Sequence, residues 1–381
     1  MSWVTGVGLL PYGRHEGKNT LDLMSEAATL AMADAGVARG DIDGVLTGYA
    51  TTMPHIMLAT VFCEHFGLRP SYAHGLQVGG ATGFAMVMLA HELVAAGRLR
   101  HVLVVAGENR MSAPGGRDKV VETLAQVGHP VHEVPLGPTI PAYYGLVANR
   151  YMHEHKISAR DLAELAVLMR ANAATHPGAQ FKEPITVDDV LASKPIAQPL
   201  RLLDCCATAD GGAAFVISRD RTGTAGVRII GAGQAHTHQH ISEAPSLTEF
   251  GARLSMDRAI AATGRKLATT DAGYLAIYDS FTITLAILLE ELGLAPRGQS
   301  GRIAREGYFS QHGAKPLNTH GGLLSYGHCG VGGALAHLVE THLQMTDRAG
   351  PRQIADTGLA VLHGDGGVMS SHVSLILERQ S

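Results

Sequence analysis

Asn318-Thr319-His320-Gly321-Gly322-Leu323-Leu324-Ser325-Tyr326-Gly327-His328-Cys329-Gly330-Val331-Gly332-Gly333 leads into the apolar run Ala334 to Met345, and this junction of loop and helix decides how the chain folds. The glycines at 321, 322, 327, 330, 332 and 333 allow positive φ and let the backbone come close to a ligand. Tyr326 and His328, two residues apart, supply groups that donate or exchange protons. A helix starting near Gly332 would aim its free N–H groups at whatever the loop holds. The stretch predicts a catalytic loop feeding a buried helix.

Beyond that helix, Gly358 to Gly367 (GLAVLHGDGG) is a buried strand ending in glycines. An earlier copy of the pattern runs from Gly79 to Glu108. It consists of the loop Gly79-Gly80-Ala81-Thr82-Gly83, the almost wholly apolar helix Gly83 to Ala96, then Gly97 and the strand His101 to Glu108. The shared order of loop, helix and strand predicts an internal duplication.

Helical spacing also marks Leu21 to Ala35, stopped by Gly36, residues 253–264, and Leu285 to Leu292, stopped by Gly293. Strands are predicted at Ile42 to Gly48, Gly273 to Asp279, Ala213 to Ile217 and Val227 to Ile230, with the linker Arg219 to Gly226 before the last. Residues 109–200 are rich in Pro, His and polar side chains, with helices at 143–155 and 159–174, and read as an inserted cap. These features predict an α/β protein with an N-terminal half, 1–222, that contains the cap, and a C-terminal half, 223–381. Each half would carry a mostly parallel sheet, stacked around shared helices, with the site at the strands' carboxyl ends.

A chain of 381 residues is long enough for two cores, and 46% hydrophobic against 17% charged residues suits a packed enzyme rather than a disordered chain. A formal net charge of −4 without a Lys/Arg block excludes nucleic acid and anionic membrane as partners. The N-terminus carries no basic-then-apolar leader and no apolar run nears eighteen residues, so a cytoplasmic protein is expected. Cys63, Cys205, Cys206 and Cys329 show no zinc spacing, and adjacent Cys205-Cys206 is not a normal structural disulfide. His312, His320 and His363 fall in no metal-binding pattern, so no metal is expected.

Four segments together resemble the thiolase superfamily, and within it the sterol-carrier-protein-X type. They are Val78 to Gly83 with its helix, Leu203-Asp204-Cys205-Cys206 to Asp210-Gly211, Tyr278-Asp279-Ser280-Phe281, and Asn318 to Gly333. The resemblance spans nearly the whole chain. It implies the thiolase fold, two duplicated βαβ halves in a layered αβαβα arrangement. It also implies a homodimer, an acyl-CoA substrate with coenzyme A as carrier, and no further cofactor.

In thiolases the helix N-terminus of the first segment bears the nucleophilic cysteine. Here Gly80 stands in that place, and glycine forms no acyl-enzyme. The second thiolase cysteine is also missing, because Gly364-Asp365-Gly366-Gly367 occupies its segment. What the resemblance leaves is a thioester oxyanion hole, from His328 of the Gly-His pair and backbone N–H groups at Gly80 and Gly366.

Tyr278 and Tyr326 stand where the superfamily commonly has other residues. That pairing resembles the steroid side-chain-cleaving aldolases, in which tyrosines take over proton transfer, an acyl-CoA side chain leaves by retro-aldol cleavage, and a small OB-fold, zinc-ribbon protein is the partner. Such cleavage needs a base for the β-hydroxyl proton, a hole for the enolate and an acid for the α-carbon. Tyr278 and Tyr326 are the expected proton-transfer pair, in unassigned order. Either acts as base near neutral pH only if neighbours lower its pKa from about 10. Asn318 is expected to fix its loop, Asp279 to cap the following helix or orient Tyr278, and Glu108 to support the loop. Two other functions remain open: an acyltransferase using Cys329 or Cys63, and a non-catalytic acyl-CoA-binding subunit.

Overall fold

The protein is described by a computed structural model covering residues 1–221 and 226–380. The boundary between residues 222 and 223 and residues 222–225 of the linker Arg219 to Gly226 lie outside the described residues. The first half runs β1 (Ser2–Leu9), α1 (Thr20–Ala35), β2 (Gly44–Thr47), α2 (Leu58–Phe66), β3 (Tyr72–Gly75), α3 (Thr82–Ala95) and β4 (His101–Asn109). There follow α4 (Gly116–Ala125), α5 (Ile140–His155), α6 (Ala159–Ala173), α7 (Val187–Ala192), the short pair β5 (Pro195–Ala197) and β6 (Leu200–Arg201), and the return strand β7 (Asp210–Ser218). The second half comprises β8 (Gly226–His236), α8 (Ala252–Ala262), β9 (Tyr274–Ile277), α9 (Thr282–Glu291), α10 (Ser300–Arg305), α11 (Gly322–Ser325), α12 (Val331–Met345), β10 (Leu359–Gly366) and β11 (Ser371–Gln380).

Among the described residues nine strands line up in the order β3-β2-β4-β7-β1-β8-β11-β10-β9. The halves join where Ser2 to Val4 of β1 pairs with Val227 to Ile229 of β8. The sheets are mixed rather than mostly parallel. Parallel pairing is confined to β2 with β3 and β4, and β9 with β10. The reason is that each half closes on hairpin-like return strands: β7 runs antiparallel to both β4 and β1, and β11 antiparallel to both β10 and β8.

Helices α3 and α12 touch each other and strands of both halves, so they form the middle layer. On the outside, α1 covers β1, β7 and β4, and α8 covers β8, β11 and β10. This is the layered αβαβα arrangement. The duplication extends to single residues. A Cβ at Gly6 or Gly8 of β1 would come within 2.3 Å or 2.1 Å of the α1 carbonyls of Ala31 and Ala27. Gly231 and Gly233 of β8 meet the α8 carbonyls of Ala259 and Ser255 at 2.3 Å each. A glycine pair two residues apart therefore lets the outer helix press onto the strand in both halves.

Residues 109–200 do more than cap the site. Helix α6 packs on α9, α10 and α11, and the cavity described below is reached by Arg110, just past β4, and by the stretch from α4 into α5. Among the described residues no helix is long and apolar enough to cross a membrane.

Candidate active site

The two helices of the middle layer start at one cavity of about 270 Å³, lined at α3 by Gly79 and Gly80 and at α12 by Gly330 and Val331. Gly79 and Gly80 end a tight turn that Thr82 closes, its hydroxyl donating to the Gly79 carbonyl at 2.6 Å and accepting the Val78 N–H at 3.0 Å. Gly330 takes φ +70° as the N-terminal cap of α12. Two further segments clamp the floor. The His328 N–H donates to the Ala207 carbonyl, the Ala209 N–H to the His328 carbonyl, and the Cys206 N–H to the Ser280 carbonyl. The four segments that carry the sequence resemblance therefore converge.

Tyr278 follows β9 and presents its hydroxyl 3.1 Å from His328 Nε2. The Gly330 N–H donates to His328 Nδ1 at 3.1 Å, so Nδ1 is the acceptor and the proton sits on Nε2, facing Tyr278 and the cavity. Burial, then the charge of Arg110 and His337, lowers the His328 pKa to about 3, which keeps the ring a neutral donor. Tyr278 moves the opposite way. Burial pushes its pKa well above 10, with Cys206, Asp365 and Tyr49 adding to the rise and Arg110 opposing it. The tyrosine holds its proton, contrary to the lowering that a base requires.

Gly80 explains how Tyr278 fits. A Cβ at position 80 would lie 2.2 Å from the Tyr278 hydroxyl and 2.5 Å from the Asp365 carbonyl oxygen. The tyrosine hydroxyl fills the volume into which a side chain at 80 would project. The exchange of residues is thus a steric pair.

Tyr326 does not join this site. Its hydroxyl donates to the Leu10 carbonyl at 3.0 Å, and its buried ring packs on Tyr12, with centroids 4.6 Å apart, and on His176. It lines no part of the cavity. Gly327, at φ +128°, turns the chain between Tyr326 and His328, so two neighbours in sequence point to different interiors. Gly366 is likewise displaced: Gly367, not Gly366, lines the cavity, because Gly366 packs so tightly that a Cβ there would meet the Val78 carbonyl at 2.0 Å.

The support residues act through backbone groups. Asn318 accepts the Ile277 N–H at 2.9 Å and donates to the Ile277 carbonyl at 2.7 Å, tying the loop to β9 rather than to itself. Asp279 accepts the N–H groups of Leu323 and Leu324 and pairs with His337 Nε2 at 3.1 Å. It caps α11, not the helix that follows it in sequence. Glu108 accepts the Thr51 hydroxyl and the Thr52 N–H and pairs with Arg110 at 2.9 Å, holding both beneath Gly330.

Sequence reasoning gave no role in the site to several lining groups, among them Arg110, Tyr49, Tyr144 and the adjacent Cys205 and Cys206. Tyr144 donates to Asp365 Oδ2 at 3.0 Å, while Asp365 Oδ1 is buried without a partner. Burial raises the pKa of both groups well above the ordinary values. Only the position of Asp365 in the segment of the lost second cysteine pointed here. Neither Cys329 nor Cys63 lines the cavity; Cys63 is buried in α2 and Cys329 behind the loop. The opposite wall is apolar, built by Val120, Val121, Leu124, Val127, Ile140 and Pro141. Among the described residues no group of His, Cys, Asp or Glu is arranged to hold a metal.

Paired buried helices, a neutral histidine donor and glycine-lined backbone at their N-termini define a thiolase-fold site for a thioester. The chain belongs to the thiolase family: the family of thiolase N-terminal domains matches residues 5–221, and that of thiolase C-terminal domain-like segments matches residues 233–379. It is 32% identical over 346 residues to a steroid side-chain-cleaving aldolase of Thermomonospora curvata, covering 84% of this chain and 85% of that protein. It is 28% identical over 383 residues to an acetyl-CoA acetyltransferase of Methanothermobacter thermautotrophicus, covering 97% and 98%. The solved Ltp2-ChsH2(DUF35) aldolase superposes with a TM-score of 0.84 at 28% identity, covering 99% of this chain and 97% of that one.

Proposed function

We propose that this chain is an acyl-CoA lyase that breaks the Cα–Cβ bond of a β-hydroxyacyl-CoA by retro-aldol cleavage. One observation carries the reading: the Tyr278 hydroxyl occupies the volume of the absent nucleophile at Gly80, 3.1 Å from the neutral His328 donor. The likeness to the aldolases supports it.

The chemistry balances on these residues. A base takes the β-hydroxyl proton and the C–O bond becomes a carbonyl as Cα–Cβ breaks. The electron pair moves onto the thioester, giving an enolate whose oxygen accepts from His328 Nε2–H. Tyr278, which keeps its proton, then protonates Cα, leaving a shortened acyl-CoA and a free aldehyde or ketone. The Tyr144–Asp365 pair fits the base: Tyr144 takes the substrate proton while passing its own to Asp365 Oδ2, which burial makes more basic than an exposed carboxylate. After product release Asp365 loses that proton to solvent, and the Tyr278 phenolate regains one from solvent. The same reading carries coenzyme A as substrate carrier, a small partner protein like that of the Ltp2-ChsH2(DUF35) aldolase, a homodimer and a cytoplasmic setting.

The test is incubation with a synthetic β-hydroxyacyl-CoA, following the carbonyl product and shortened thioester by mass spectrometry, with and without a DUF35-type partner. Cleavage without added free CoA is expected, and Tyr278→Phe should lower it by about 10²–10⁴-fold. Turnover that strictly requires free CoA as acceptor would sink the reading. It would favour acyl transfer, which the acetyltransferase relative supports and for which Cys205 and Cys206 are the thiols lining the cavity, burial raising the pKa of both and that of Cys206 to about 12.

A further inference from the structure

Arg110 stands one residue past β4, buried, and is the only side chain among the described cavity-lining residues that carries a full charge at neutral pH. Its Nε–H donates to Glu108 Oε2 at 2.9 Å. The other Glu108 oxygen is taken by Thr51 and the Thr52 N–H, so the carboxylate is a fixed anchor. Among the described residues neither Nη group of Arg110 has an acceptor. The guanidinium presses on Gly330, where a Cβ would lie 3.0 Å from Nη2, and Gly330 in turn donates to His328 Nδ1. A purely structural ion pair would use up its donors, because burying a guanidinium with idle N–H groups is costly. Here the idle donors sit at the wall of the cavity beside the oxyanion donor.

We propose that Arg110 is a further catalytic residue, whose Nη donors meet the thioester oxygen as the enolate forms, alongside His328 Nε2–H. This rests on the lyase reading. As the electron pair moves onto oxygen, the acceptor of the guanidinium changes from a carbonyl dipole to an anion, so the arginine binds the enolate more tightly than the thioester. Glu108 holds the fork in place in advance, and the arginine needs no reorganisation during the step. Its charge also reaches His328, Tyr278 and Cys206, adding to the fall at His328 and opposing the rise that burial imposes on Tyr278 and Cys206.

The experiment compares Arg110→Lys with the double variant Glu108→Gln/Arg110→Gln, which leaves no uncompensated buried charge if the single variant fails to fold. Turnover should fall by about 10²-fold or more in the double variant, with KM within about threefold. His328 is faced by Tyr278, Arg110 and His337, with Cys329 next to it in the chain. Loss of the Arg110 charge should therefore move the low-pH limb of kcat/KM upward whether or not the fork touches the substrate, so chemical rescue is the readout that a merely structural residue would not give. Millimolar guanidinium should restore part of the turnover of Arg110→Ala. Exchange of the α-protons of the shortened acyl-CoA in D2O, followed by NMR, separates the two readings. If wild type exchanges but does not cleave, the lyase reading falls and the exchange rates of the variants decide the role of Arg110. If wild type does neither, both fall. If wild type cleaves and both variants keep turnover within threefold, Arg110 is not catalytic and the lyase reading stands.

Discussion

Replacing Gly80 with alanine tests whether the empty nucleophile position and Tyr278 are one steric unit. The new Cβ would fall 2.2 Å from the Tyr278 hydroxyl, 2.5 Å from its Cζ and 2.5 Å from the Asp365 carbonyl. The tyrosine ring can rotate away, but the carbonyl belongs to β10. Overpacking of this kind costs about 1–3 kcal/mol, and displacing Tyr278 from His328 adds about 1 kcal/mol for the lost hydrogen bond. A loss of about 2–4 kcal/mol is expected in urea unfolding followed by circular dichroism. Tyr278→Ala removes the hydroxyl and ring but leaves a cavity costing about 3 kcal/mol by itself. In the double variant the methyl group enters that cavity and only the carbonyl contact remains. The double variant should be more stable than the sum of the singles predicts by about 1–2 kcal/mol. Additivity within about 0.5 kcal/mol, or a Gly80→Ala protein as stable as wild type, would refute the steric pairing and with it the account of how the cysteine site became a tyrosine site.

Tyr326→Phe removes a buried hydroxyl that donates to Leu10, and should cost about 1 kcal/mol of stability while lyase turnover stays within about threefold of wild type; a large fall in turnover would return Tyr326 to the site. Stability should also depend on pH through buried histidines. Burial holds His328, His176 and His342 at about 3, and His91 and His372 at about 4. The unfolded chain, with histidines near 6.5, binds more protons below that pH, so stability is complete above about 6.5 and is lost as pH falls towards 3. Urea midpoints should drop from pH 7.5 to pH 5 with a slope steeper than the roughly 1.4 kcal/mol per pH unit of a single proton. A flat profile would mean that these rings protonate in place.

Much of the scaffold was legible because burial writes itself into composition. The runs at α3 and α9 are apolar nearly all round, as enclosed helices commonly are, while α12, equally buried, also carries His337, Glu340 and Gln344, and Gly36 and Gly293 stop their helices at the predicted residues. Strand direction was not legible, since a strand buried on both faces reads alike whether its neighbours run parallel or antiparallel.

The site divides in the same way. The residue types that chemistry requires, and the absence of a nucleophile at Gly80, stand in the amino-acid order itself. His328 and Tyr278 could be named because each sits in a segment whose pattern demands a loop at a helix or strand end. Which way a side chain points from a loop is another matter. Tyr326 and His328 share one loop, yet the turn at Gly327 sends one ring to Leu10 and the other to the cavity. Arg110, Tyr144 and Asp365 come from three distant parts of the chain and meet only where the halves close. Sequence determined the helices, the buried strands and the duplication, because periodicity is a local property, and its resemblance to the thiolases implied the layers and the lost cysteine. Only the tertiary structure decided which tyrosine faces the cavity and which charge lines it, because those depend on long-range packing and the φ of a single glycine.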